Sequence, residues 1–348
     1  MQIQDQSDES MLDKHFTEET LHFQKYLVQI KGEFDEFDQS RKSPDDQLHF
    51  LNNKKTLLCP IFDQHFAKIW QLVKELDKKA FEAHRCYYQK HLLPILGFPE
   101  VNNHIYTKPL GYAGDFITMN YILDQYNKFI GKTSFEKFVN NYTCSIPISL
   151  SNISRKEFLK SQLLNAIGEY PEPVKITSIA SGPARELIDL LNEKQIKKDV
   201  LIRLFDFETK AFAYIKEELG KIKKSMNVKL EFIQDNLINL IRKPESRAKI
   251  ICQDFIYAFG IYDYLNDIVA LKLTSILFDS IKANGTLLIC NASINKSSHR
   301  AYFELLGGWE MIYRTKEDML HWTNKLSPKQ ITIRDEPNEA YIYLIIRK

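Results

Sequence analysis

The stretch "ITSIASGPARELIDLL", residues 176–191, runs apolar, breaks at Gly182, and resumes with the spacing of an amphipathic helix. A buried strand, a tight turn and a helix in immediate succession form the first half of a βαβ unit. In an open α/β sheet such a turn sits at the carboxyl end of a strand, where ligands bind. A dinucleotide site needs G-x-G-x-x-G so that the backbone approaches a pyrophosphate. Here there is only Gly182, followed by Pro183, which has no N–H to donate. The G-K-[ST] of a P-loop is absent as well. The pattern therefore predicts a ligand that is nucleoside-like but lacks phosphates, and S-adenosylmethionine (SAM) fits that description.

Working outward, further apolar runs alternate with helical stretches: "VLIRLFDF" (200–207), "VKLEFIQ" (228–234), "KIICQDFIYAF" (249–259) and "GTLLICN" (285–291). Their alternation predicts a parallel, doubly wound sheet with right-handed crossovers. The end differs: "ITIRDEPNEAYIYLIIRK" (331–348) reads as two strands joined by "PNE", an antiparallel hairpin. The expected fold is α/β, Rossmann-like and seven-stranded, with a C-terminal hairpin, preceded by an N-terminal α-helical domain.

That helical part is read from stripes at spacings of three and four: Phe23, Tyr26, Leu27, Ile30, Phe34 and Phe37, then Phe62, Phe66, Ile69, Trp70, Val73 and Leu76. Such stripes are the core faces of packed helices. "LLPILGFPE" (92–100) is expected to break any helix at Pro94, Gly97 and Pro99. The expected organisation is a disordered tail over 1–14, a helical substrate or lid domain over 15–150, and the sheet domain over 155–348.

Bulk composition narrows the function classes. The 348 residues carry 47 Lys and Arg against 45 Asp and Glu, without the basic excess of a nucleic-acid binder. Cys59, Cys86, Cys144, Cys252 and Cys290 are scattered, odd in number and free of CxxC, which argues against a disulfide framework or a zinc site. The polar start "MQIQDQSDESMLDKHF" is unlike a signal peptide, and no run of about 18 apolar residues occurs. A cytoplasmic protein with a small-molecule partner and no metal is expected; oligomeric state is not readable.

The cofactor pocket is expected at successive strand ends. Ala180, Ser181 and Gly182 form the turn, and Glu186 sits near enough to meet the ammonium of the methionine end. Asp206 lies 24 residues beyond Gly182, close to the spacing of about 20 at which an acid reaches ribose hydroxyls. Phe207 offers a face to adenine, and Asp235 and Asn236 offer its polar edge. Tyr257, at the end of the fourth strand, stands beside the cofactor, and Tyr262 with Tyr257 lines the channel to the acceptor. Asn291, ending the fifth strand, points into the channel or caps the sheet edge.

With these segments quoted, the chain resembles class I SAM-dependent methyltransferases. More narrowly, "KPLGYAGDFITMN" (108–120), "IASGPARE" (179–186), "FIYAFGIYDYLND" (255–267) and "GWEMIYRT" (308–315) resemble the bacterial family that methylates 3-hydroxypalmitic acid to a methyl-ester quorum signal. That family usually has a glycine where Ala184 stands here. The resemblance covers roughly residues 100–348 and implies carboxyl O-methylation of a hydroxy fatty acid. It implies that the GYAGD loop, with Tyr112 and Asp115, closes over cofactor or substrate. Trp309, Tyr313 and Arg314 lie beyond the fifth strand on the acceptor side; from there Arg314 is expected to pair the acceptor carboxylate, the alternative being that it pins the following helix to the domain. A carboxylate is ionised at neutral pH and needs no general base, and no Ser-His-Asp or Cys-His arrangement is evident. Methyl transfer to a phenol or amine, and SAM binding without turnover, stay open as alternatives.

Overall fold

The computed structural model describes residues 9–40, 42–193, 196–222, 227–296 and 299–348. Of the tail expected over 1–14, residues 1–8 lie outside that set. The remainder is ordered: a 3-10 turn spans Glu9–Met11 and a long helix begins at Lys14. Asp13 starts it by accepting the Phe16 N–H at 2.9 Å, satisfying one of the otherwise unpaired amides of a helix N-terminus. The Asp13 N–H itself donates to His84 Nε2 at 3.0 Å.

The chain divides into two compact units: Met1–Leu150 with Lys296–Glu310, and Ser151–Asn295 with Met311–Lys348. In the first, helices Lys14–Gln39, Pro44–Val73 and Lys78–Leu96 carry the apolar stripes. Phe23, Leu27, Ile30, Phe34, Phe62, Phe66, Ile69, Trp70 and Val73 are buried, and Phe37 stacks on Phe50 at 4.0 Å. Pro94 does not end its helix, which runs two residues further to Leu96; Gly97 ends it, donating its N–H to Leu93 O at 2.8 Å. Near a C-terminus a proline forfeits only one backbone hydrogen bond, and packing offsets it. Helices Glu100–Thr107, Phe116–Gln125 and Ser134–Ser145 complete the unit. The expectation that 155–348 is continuous is corrected at Lys296–Glu310. Its run Ala301–Leu306 is buried within the helical unit, with the Tyr302 hydroxyl bonded to Asn102 and Thr143.

The second unit is built on a seven-stranded sheet: β1 (Val174–Ile179), β2 (Val200–Asp206), β3 (Val228–Gln234), β4 (Gln253–Ala258), β5 (Ile281–Ala292), β6 (Gln330–Asp335) and β7 (Tyr341–Arg347). The order is β3-β2-β1-β4-β5-β7-β6, with β1 to β5 parallel and β7 antiparallel to both neighbours. This is the expected α/β Rossmann-like fold with its final hairpin. The chain leaves β1 in one direction to β2 and β3, then returns to β4 on the other side, so the switch point lies between β1 and β4.

Strand alternation sorts the two faces. Ile256, Ala258, Leu287, Ile289, Ile342, Leu344 and Ile346 share one core with Tyr262, Leu273, Leu277 and Trp322. On the other face Tyr343 stacks on Phe158 at 4.3 Å, and Phe158 belongs to the helix Pro147–Glu169. Tyr257 and Cys290 point to this second face by parity. No helix among the described residues is long and apolar enough to cross a membrane.

Candidate functional site

The turn after β1 is wound through the left-handed region: Ala180 has φ +53°, Gly182 +51° and Ala184 +44°. For alanine that conformation costs about 1–2 kcal/mol per residue, so the surrounding structure must impose it. A positive φ favours glycine, which has no Cβ, yet Ala184 adopts one. Ala184 N–H donates to Ser181 O at 3.1 Å, and the Gly182 N–H leaves the turn to reach Asp206 Oδ2 at 2.8 Å. The other oxygen, Oδ1, accepts the Glu208 N–H at 2.9 Å. Burial pushes the Asp206 carboxyl up, and the backbone amides of Glu208, Gly182 and Phe207 work against that shift. Each carboxylate oxygen has a second lone pair, so the buried carboxylate retains acceptor capacity at the end of β2.

A Cβ built on Gly182 meets nothing within 4 Å, so open space lies against the turn. Bulk there would enter that space rather than strike protein, and the constraint printed in the backbone is the positive φ. The Ser181 hydroxyl is buried with no partner among the described residues. Such an orphan is a rarity in native proteins and calls for a ligand or a water.

Glu186 stands in the first turn of the helix Arg185–Glu193 and is buried, and its burial pushes the carboxyl up. The Tyr257 hydroxyl donates to Glu186 Oε1 at 2.7 Å. Tyr257 is the register partner of Ser178 on β1, which explains how it spans the switch point. It therefore positions Glu186 instead of lining a channel. Phe207, just past Asp206, is 55% exposed. Ala180, Ser181, Gly182, Glu186, Asp206, Phe207 and Tyr257 thus fall together around the ends of β1, β2 and β4.

Asp235 is adjacent, its N–H donating to Asp206 O at 3.0 Å, but its carboxylate is already filled. Oδ1 accepts from Asn236 N at 2.9 Å and Asn239 Nδ2 at 2.7 Å; Oδ2 accepts from Ser246 Oγ at 2.8 Å and Lys249 Nζ at 2.9 Å. Burial would raise its pKa, yet Lys249, Asn239 and Ser246 outweigh it and hold the carboxyl well below the usual range. A carboxylate has about four acceptor sites, so Asp235 locks the chain after β3 and leaves none for an adenine edge. Asn236 is exposed and caps the helix Leu237–Arg242 by accepting the Asn239 N–H.

The acceptor-side expectations need larger corrections. Arg314 is 2% exposed and spent on protein: Nε to Asp267 Oδ1 at 3.0 Å, Nη1 to Tyr262 O at 2.9 Å and Asn291 Oδ1 at 2.7 Å, and Nη2 to Leu265 O. Its guanidinium also lies 4.9 Å from the Trp322 ring. Asn291 completes the lock, donating to Ala292 O and Ile312 O. Parity explains why: Asn291 projects to the same face as Leu287 and Ile289, away from Tyr257. Tyr262 is buried in that same core, bonded to Thr274 Oγ1 at 3.0 Å and packed on Trp322 at 5.1 Å, so it lines no channel.

Asp115, Tyr112 and Trp309 belong to the helical unit. Asp115 is fully buried, caps the helix Phe116–Gln125 through the Thr118 N–H at 2.8 Å, and holds His104 Nε2 at 2.8 and 3.0 Å. It serves the loop's structure and is not presented to a substrate. Tyr112 is half-buried beside Gly111, whose φ is +91°. Trp309 is buried against Phe303 at 5.2 Å. Tyr313 is half-buried, between Ile312 and Arg314 in the chain that follows the helical excursion.

Sequence reasoning passed over Arg155. Asn152, Arg155, Leu159, Leu163 and Ala166 recur at the three-to-four spacing of one buried helix face, so a cation occupies a core position. That interruption of an apolar stripe was a readable signal.

No family model matches the chain, and no curated protein matches its sequence. Among solved structures it is similar to a possible exported protein from Bordetella parapertussis, at 14% identity and TM-score 0.57, over 89% of this chain and 98% of that one. Lesser likenesses are to the pyocyanin biosynthetic protein PhzM (13% identity, TM-score 0.44, 76% and 72% covered). Magnesium protoporphyrin IX methyltransferase from Synechocystis PCC 6803 with bound SAH follows (12% identity, TM-score 0.42, 58% and 85% covered). The first of these shows a shared fold across nearly the whole of both chains.

Proposed function

We propose that the protein is a SAM-dependent carboxyl O-methyltransferase of the cytoplasm whose acceptor is a hydroxy fatty acid. The observation that carries the cofactor is the joined pair of Gly182 and Asp206 at the switch point. An unphosphorylated nucleoside is met there by a carboxylate with spare lone pairs, and by open space against a single-glycine turn. The orphaned Ser181 hydroxyl and the buried Glu186, held by Tyr257, fit the amino-acid end of the same ligand. Exposed Phe207 fits the adenine face. When bound, SAM supplies an electrophilic methyl group.

The protein's part is to bind and orient. Asp206 and Glu186 fix the two ends of the cofactor, and the turn excludes phosphates because Pro183 removes a donor that a pyrophosphate would need. An ionised carboxylate acceptor requires alignment and a water-poor setting more than proton transfer. The hydroxy fatty acid rests on the resemblance of the GYAGD, SGPARE and YDYL segments.

The test is calorimetric titration with SAM, followed by incubation with methyl-labelled SAM and 3-hydroxypalmitic acid, with products identified by mass. Label in a methyl ester supports the proposal. Label in a phenol or amine from a parallel panel replaces the acceptor, binding without turnover points to a regulatory protein, and absence of SAM binding overturns the reading.

A further inference from the structure

Among the described residues, Arg155 is a buried cation without a bonded counter-ion. Its side chain is 8% exposed, on the face of the helix Pro147–Glu169 that meets the sheet. Nη2 donates to Asn152 Oδ1, Nη1 reaches only Cys290 Sγ at 3.8 Å, and the guanidinium stacks 3.7 Å from the Tyr341 ring. Among the described residues its Nε–H is buried with no partner, and so is the hydroxyl of Tyr343. Cys290 and Tyr343 are register partners, and Cys290 and Arg155 both act electrostatically on the Tyr343 hydroxyl, so the two orphaned donors belong to one cluster. A buried charge is costly unless paired. Asp263 is the acid that acts on Arg155 electrostatically, but its Oδ1 accepts the Ala292 N–H at 2.6 Å, and Arg155 makes no ion pair within 4.0 Å among the described residues.

The place of this cluster matters as much as its chemistry. Tyr341 pairs with Ala292, at the carboxyl end of β5, the same end of the sheet as Gly182 and Asp206. Phe259, one residue past β4, stacks on Tyr343 at 5.7 Å and meets Tyr257 edge-on at 6.5 Å. Tyr257 in turn holds Glu186. One aromatic row on one face therefore runs from the carboxylate of the proposed cofactor pocket to Arg155.

We propose that Arg155, with the Tyr343 hydroxyl beside it, anchors the carboxylate of the acceptor; this rests on the methyl-transfer reading above. A carboxylate satisfies both orphaned donors and neutralises the buried charge, and the rings of Tyr341, Tyr343, Phe158 and Phe259 suit the apolar chain that carries it. Arg155 takes the role the sequence suggested for Arg314, from the opposite face of the sheet.

The experiment is calorimetric titration of the full chain, saturated with SAH, with 3-hydroxypalmitate and with its primary amide. Wild type, Arg155→Gln and Arg155→Lys are compared, with melting temperature and SAH affinity as controls. The expected result is a preference of at least about tenfold for acid over amide in the wild type. That preference is lost in Arg155→Gln and reduced in Arg155→Lys, with SAH affinity unchanged. A folded Arg155→Gln that keeps the preference overturns the anchor alone and leaves Arg155 as the counter-charge of Asp263. If Arg155→Gln does not fold, an undiminished preference in Arg155→Lys overturns it. Absence of SAH binding in the wild type instead overturns the methyl-transfer reading. SAH binding without any binding of the acid overturns the fatty-acid acceptor and the anchor with it.

Discussion

The Gly182 N–H and Asp206 Oδ2 are 2.8 Å apart, which makes the glycine turn of β1 and the acid of β2 a single structural object. A change to either residue therefore acts on both the cofactor's ribose end and the turn that faces its amino-acid end.

Asp206→Ala removes the carboxylate proposed to take the ribose hydroxyls and leaves the Gly182 and Glu208 amides without their acceptor. SAM affinity should fall by about 1.5–3 kcal/mol, the worth of hydrogen bonds to a charged group. Calorimetric titration checks this, and an unchanged Kd with intact circular dichroism removes Asp206 from the pocket.

Gly182→Ala separates backbone strain from steric exclusion. No protein atom lies within 4 Å of the added methyl, so the cost to folding is that of an alanine at φ +51°, about 1–2 kcal/mol. The melting temperature should fall modestly while SAM affinity falls more, because the methyl enters the space assigned to the ligand. Equal small losses in both would place the ligand elsewhere.

Acid should destabilise the helical unit through Glu19. The hydrogen bond to His65 and the ammonium of Lys68 bring its carboxyl down to about 2, against the opposing effect of burial. A depressed folded pKa contributes stability above the ordinary glutamate range, and that stability is lost as pH falls towards about 2. His65 acts in the same direction: burial lowers its pKa, so protonation at low pH favours the unfolded chain. Melting temperature measured from pH 6 to pH 2 should drop less steeply in Glu19→Gln than in the wild type; parallel curves would remove Glu19 from the acid response.

The strands were legible because buried parallel strands are short, nearly continuous apolar runs, and "VKITSIA" and "VLIRLFDF" are bounded by turn residues on both sides. The turn and Asp206 were legible because their spacing follows from the βαβ unit itself. Asp235 misled because a strand-end acid looks the same whether its partners are a ligand or Ser246 and Lys249, eleven and fourteen residues onward. Arg314 and Asn291 misled for a different reason. Parity groups Asn291 with Leu287 and Ile289 wherever the strand starts, but "GTLLICN" is apolar at consecutive positions, so its pattern carries no mark of which face meets the cofactor side. The excursion Lys296–Glu310 was hidden because a buried apolar run carries no mark of the unit that buries it.

Arg314 now supports a prediction opposite to the one its position in "GWEMIYRT" invited. Replacing it with glutamine removes the donors that satisfy Tyr262 O, Leu265 O and Asn291 Oδ1, all within buried surroundings. The exposed Asp267 contributes little, since its carboxylate is 76% exposed and rehydrates readily. Leaving such buried acceptors unsatisfied costs about 1–3 kcal/mol each. Arg314→Gln should therefore lower the melting temperature by many degrees and loosen the segment Tyr262–Leu265 that the guanidinium ties to β5. The folded fraction, assayed below its transition, should retain the acceptor KM and SAM Kd of the wild type. A variant that melts normally but shows a raised acceptor KM would return Arg314 to the substrate, and with it remove the need for Arg155.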